Sequence, residues 1–114
     1  MVRINFILKT KPRMNLELLQ VMGSIIVNLH RVEGCVNIDF KQDKLDKDQF
    51  YFRMNWQNNI FFKSLLISNE FSIFEGSIDV LCYNPIVEII SNDDSVLRII
   101  KKNYKKELQK EFNN

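Results

Sequence analysis

QFYFRMNWQNNIFFKSLLISNEF, residues 49–71, changes its period halfway along. Over QFYFRMNW, apolar side chains alternate with polar ones, the period of two of a half-buried strand. An asparagine-rich turn follows Trp56, the only tryptophan in the chain. Asn58 or Asn59 can cap a helix from about Ile60 to Ser68. A strand that gives way to a helix at this tryptophan is the junction from which the remaining elements can be placed.

Upstream, CVNIDFK alternates in the same way. The charged segment KQDKLDKD lies between the two strands, with Leu45 as its one apolar residue, and reads as the loop of a hairpin. Earlier still, VRINFILK sets Val2, Ile4, Phe6 and Leu8 on one face and Arg3, Asn5 and Lys9 on the other. Lys11-Pro12 breaks that pattern. Asn15 can cap a helix in which Leu16, Leu19, Met22, Ile26 and Leu29 recur at three- and four-residue spacing to about Arg31, and Gly34 stops it. Downstream of the junction, Glu70 to Cys82 predicts a further helix with Phe71, Phe74, Ile78 and Leu81 on one stripe. Pro85 ends it, and IVEII at 86–90 is a short β-branched strand.

This order of β, α, β, β, a helix in two pieces, and β predicts an α+β fold of ferredoxin-like type, a four-stranded antiparallel sheet with helices on one face. Beyond it, Val96, Ile100, Tyr104 and Leu108 recur every four residues. Asp93 and Asp94 stand at the start of that stretch and lysines in its later turns, as a helix dipole favours. The expectation is a domain over 1–91 followed by a C-terminal amphipathic helix over 92–114.

Composition bounds the function classes. Hydrophobic residues make up 46% of the 114 positions and charged residues 26%, with three Gly and two Pro, which excludes a low-complexity or disordered chain. Cys35 and Cys82 form no CxxC pair and sit among apolar neighbours, as buried free thiols of a reducing compartment do. No apolar run approaches the roughly 20 residues that span a bilayer, so a soluble, cytoplasmic protein with no membrane partner is expected. Residues 1–91 carry ten basic and ten acidic side chains, and 92–114 carry six and four, so the net charge of +2 lies in the tail. A neutral body gives little counterion release and makes nucleic acid a poor partner.

With the elements in order, Gly34 and Cys35 at the opening of EGCVNIDFKQD, Trp56 at a strand end, and Ser68 and Phe71 beyond it fall at telling separations. Over about residues 2–90 they resemble the antibiotic biosynthesis monooxygenase (ABM) family. The resemblance implies a dimeric α+β barrel, in which the sheets of two copies face each other and each copy keeps a pocket between sheet and helices. For some members it also implies oxygen chemistry without metal or flavin, since a deprotonated phenol or enol can itself reduce dioxygen when a dry site supplies a base and hydrogen-bond donors. Carried onto this chain, it makes Asn5, Trp56, Leu65, Leu66 and Phe71 the substrate pocket and Asn5, Trp56 and Glu70 the candidate catalytic residues. No cofactor or metal is implied; the partners would be a second copy and a small apolar or aromatic ligand.

The chain departs from the family where chemistry matters most. Leu65 and Leu66 occupy the part of the helix where the family commonly places a histidine, and Glu70 stands where a second one is often found. Haem-degrading members pair a first-strand Asn with the Trp and with an iron-binding His. Asn5 and Trp56 match the first two and nothing matches the third, which sets haem degradation aside. Asp39, Tyr51 and Arg53 share the polar phase of their strands, the pattern of a polar sheet face first and of a barrel interior or pocket second. His30, near the end of the first helix, is not a catalytic candidate, and Glu70 and Asp79 are the acids nearest the pocket elements. The expected activity is a cofactor-independent monooxygenation of an aromatic or quinol-type molecule. The alternative is a non-catalytic ligand-binding or structural dimer that kept the fold.

Overall fold

Alternating burial along Val2–Lys9 makes β1 the central strand, with Val2, Ile4, Phe6 and Leu8 in the core. In the computed structural model, residues 1–91, the backbone of 96–100, and residues 106 and 108–110 are described. The remaining elements are α1 (Asn15–His30), β2 (Cys35–Gln42), β3 (Gln49–Trp56), α2 (Asn59–Leu66), α3 (Asn69–Leu81), β4 (Ile86–Ile90) and β5 (Val96–Ile100). The strands form one sheet in the order β2-β3-β1-β4-β5, with every neighbouring pair antiparallel. Its first four strands are the expected ferredoxin-like sheet.

Val2 pairs with Trp56, Ile4 with Met54, Phe6 with Phe52 and Leu8 with Phe50, so the apolar phases of β1 and β3 coincide on one face. Phe6, Phe52, Phe71 and Phe74 meet there, with Phe74 edge-on to Phe6 at a centroid distance of 5.0 Å. Each fully buried side chain of this kind contributes about 1.5 to 3 kcal/mol.

Three local devices hold the helices where they are. The Asn58 side chain accepts from Phe61 N at 3.0 Å and caps α2, while Ser68 Oγ accepts from Phe71 N at 3.1 Å and caps α3. Gly34 takes a φ of 91°, and a Cβ there would lie 2.3 Å from Cβ of Phe61. Glycine is therefore required both by conformation and by the approach of α2. Its carbonyl accepts from Gln57 N at 2.8 Å, which closes the junction after Trp56.

Two expectations are corrected. In α1 the buried stripe is Leu18, Met22, Ile25 and Leu29 rather than one led by Leu16 and Leu19; Leu16 is 72% exposed. The helix carries more leucines than one face can bury, and packing against α3 and the sheet selects which set turns inward. Asn15 is the first helical residue, and Met14 occupies the cap position without a side-chain bond.

The second correction concerns the tail. Val96–Ile100, expected as helix, pairs with β4 as strand, with Ile90 opposite Val96 and Ile86 opposite Ile100. A spacing of four is also a multiple of two, so the sequence pattern fits either conformation. The β-branched run VLRII favours the strand once β4 offers an edge. Lys106 and 108–110 are helical, and Leu108 is buried in the common core. The rest of the expected C-terminal helix lies outside the described residues.

Candidate functional site

Trp56, Leu65, Leu66 and Phe71, expected as pocket wall, all belong to the buried core. Each is 0 or 1% exposed, so they are buried side chains and not an open pocket wall. Trp56 Nε1 is buried without a hydrogen-bond partner among the described residues. An unsatisfied buried donor costs about 1 to 3 kcal/mol. Around it the described core offers no base: its only buried polar residues are Thr10 and Asn55. Glu70 is half-buried in the first turn of α3, Asp79 is exposed later on that helix, and His30 is exposed at the end of α1.

Asn5 lies elsewhere. It belongs to the polar phase of β1 and pairs with Arg53, so its side chain is on the sheet face opposite Trp56. There it joins a groove of about 320 Å³ lined by Asn5, Ile7, Asp39, Lys41, Tyr51, Arg53 and Glu88. The structure thus divides the expected pocket, leaving Asn5 on the open face and the other four residues under the helices.

Register explains the groove's make-up. Asp39 pairs with Arg53, Arg53 with Asn5, and Asn5 with Glu88, so one row crosses four strands. Arg53 Nε donates to Asn5 Oδ1 at 3.1 Å, and Lys41 Nζ lies 3.6 Å from Asp39. Arg53 is therefore held by a neutral amide, although a carboxylate stands directly across from it. A second row is tied by side-chain bonds: Arg3 Nε donates to Asn55 Oδ1 at 3.0 Å, and Asn55 Nδ2 donates to Asn37 Oδ1. At the hairpin end, the Tyr51 hydroxyl donates to Asp43 at 2.8 Å, which pins the ring over the groove's rim and holds the Asp43 carboxyl below the usual carboxylate range.

Reading the sequence singles out Asp39, Tyr51 and Arg53 and misses Ile7, Lys41 and Glu88. The signal is there, since Lys41 shares the phase of Asp39 on β2, Ile7 that of Asn5 on β1, and Glu88 falls between Val87 and Ile89 on β4. No group of three or more His, Cys, Asp or Glu among the described residues could hold a metal, and no described helix is long and apolar enough to cross a membrane.

No family model matches the chain, and no curated protein does. Solved structures do match. One is described as an antibiotic biosynthesis monooxygenase: 15% identity, TM-score 0.72, covering 80% of this chain and 97% of the other. A variant of SnoaB, a cofactor-independent oxygenase from Streptomyces nogalater, matches at 12% identity and TM-score 0.72, over 82% of this chain and 94% of its own. A conserved protein from Methanosarcina mazei Go1 matches at 15% and 0.73, over 79% and 90%. At such identities the likeness is one of fold: the four-stranded antiparallel, ferredoxin-like α+β arrangement of this chain matches that of the ABM structures.

Proposed function

We propose that this chain is an ABM-like protein that seats a small aromatic or quinol-type molecule in the open-face groove and oxidises it with dioxygen without a cofactor. The observation that carries the reading is Arg53, whose guanidinium is held by Asn5 in a row with the carboxylates of Asp39 and Glu88. A carboxylate in that row takes the phenolic proton, and Arg53 stabilises the resulting anion. The electron-rich anion then reduces dioxygen. For a ring methylene the balance closes without a further reductant: the carbon loses its two hydrogens and gains one oxygen atom as a ketone, and the second oxygen atom leaves with those hydrogens as water. A second copy laid over the open face would exclude bulk water from the groove, so the homodimer is part of the reading.

A specific observation favours a second reading, a non-catalytic ligand-binding or structural dimer. The Trp56 region is closed, and the described core around it holds no acid or base. Oxygen uptake across a panel of hydroquinones and polycyclic phenols separates the two. The enzyme reading requires uptake that Arg53→Ala abolishes while the fold is retained. Ligand binding with no uptake on any compound selects the second.

A further inference from the structure

Arg3 lies on the open face, two residues before Asn5 on β1 and directly across from Asn55 on β3. Its Nε donates to Asn55 Oδ1 at 3.0 Å. A guanidinium only donates, so the Asn55 amide must turn its oxygen to Arg3 and its nitrogen to Asn37. Asn37 therefore accepts with Oδ1, and its own NH2 group ends the chain on an exposed residue. Asn55 is only 5% exposed, so water does not scramble this order.

The Arg53 row repeats the pattern. Arg53 Nε donates to Asn5 Oδ1, which leaves the Asn5 NH2 group and the Arg53 Nη groups as donors. Side-chain oxygens are consumed within both chains, and N–H groups are what remain at Arg3, Asn37, Arg53 and Asn5. Neither arginine is in an ion pair among the described residues, where Asp39 is paired with Lys41. Asp39 and Glu88 both lie in the Arg53 row, whereas Arg3 has the neutral Asn55 and Ile90 directly across from it. A half-buried guanidinium whose Nε is already fixed presents its Nη groups as a fork that matches a planar carboxylate.

We propose that the corner formed by Arg3, Asn55 and Asn37 is a carboxylate-binding site, and that the molecule taken by the groove is a hydroxyaryl carboxylic acid. Its carboxylate sits on Arg3 and its phenolic oxygen on Arg53. Diagonal positions on neighbouring strands stand about 7 to 8 Å apart, a span suited to a two-ring frame with its hydroxyl and carboxylate at opposite ends. The inference rests on the proposed function and adds a second handle to its substrate.

Isothermal titration of the full chain with 6-hydroxy-2-naphthoate and with 2-naphthol tests it, since the two differ by the carboxylate alone. The acid should bind about tenfold or more tighter, as charge-assisted hydrogen bonds allow. Arg3→Gln offers Asn55 a neutral N–H in place of the charged one; it should remove that preference and leave the affinity for 2-naphthol unchanged. Equal affinities in the wild type overturn the proposal, as does an Arg3→Gln that weakens both ligands alike or neither. Asn37→Asp keeps the oxygen that Asn55 needs and adds a charge of the ligand's own sign, so it too should abolish the preference. Should Arg3→Gln fail to fold, an undiminished preference in Asn37→Asp overturns the proposal instead. Preference for the acid without oxygen uptake sustains this site and removes the enzyme reading; uptake from both compounds at equal affinity does the reverse.

Discussion

Gly34 and Phe61 occupy space that only a residue without a side chain can share: a Cβ on Gly34 would stand 2.3 Å from both Cβ and Cγ of Phe61. These atoms are the root of the phenylalanine and cannot swing aside without moving α2. Gly34→Ala therefore combines a left-handed φ with a backbone displacement, and should lower stability by about 2 to 3 kcal/mol. Urea unfolding monitored by Trp56 fluorescence measures it. A loss under about 0.5 kcal/mol, the range of a neutral surface substitution, would show that α2 is not anchored at this contact.

Trp56→Phe tests the core. It trims a fully buried side chain, at a cost on the order of 1 to 3 kcal/mol, but also removes the unpartnered Nε1–H and its desolvation penalty. The net loss should fall in the lower half of that range. Thermal unfolding and ligand affinity should be measured on the same variant. Reduced stability with unchanged affinity and oxygen uptake assigns Trp56 to the core alone.

The hairpin end should weaken in acid. Asp43 accepts from the Tyr51 hydroxyl and from the amides of Asp46 and Leu45, and Asp46 is paired with Lys9, so both carboxyls titrate below the ordinary value of 3.8. A depressed folded-state pKa gives stability that is present above the unfolded value and lost as pH falls through the folded one. Thermal midpoints recorded from about pH 5 down to about pH 2 should drop, and Asp43→Asn should show a shallower decline.

Cys82 should mark the alkaline side. Burial pushes its thiol up to about 11, against a small opposing effect of Lys11. A raised folded-state pKa gives stability that is complete below the unfolded value of 9.0 and is lost as pH rises toward 11. Cys82→Ala should flatten that part of the profile. In the wild type, iodoacetamide at neutral pH should modify Cys82 only on unfolding.

Period, caps and stops were legible in the sequence because they are set by residues within a turn or a pleat of one another. The alternation of β1 and β3, the cap at Asn58 or Asn59, the charged hairpin loop and Gly34 are of this kind; the Ser68 cap of α3 was not read from the sequence. The separation of Asn5 from Trp56 was legible too, since Trp56 shares the phase of Phe50 and Phe52 while Asn5 falls between Ile4 and Phe6; the family resemblance grouped them nonetheless. Other features depended on which surfaces meet. Leu16 and Leu18 are equally apolar, and only the fit of α1 against α3 and the sheet buried the second. Val96 and Ile100 suit helix and strand alike, and the edge of β4 chose the strand by supplying backbone partners that an isolated segment lacks. The closeness of Gly34 to Phe61, and of Arg53 to Asn5, joins residues distant in the chain. Such contacts come from register and packing, which no local spacing encodes.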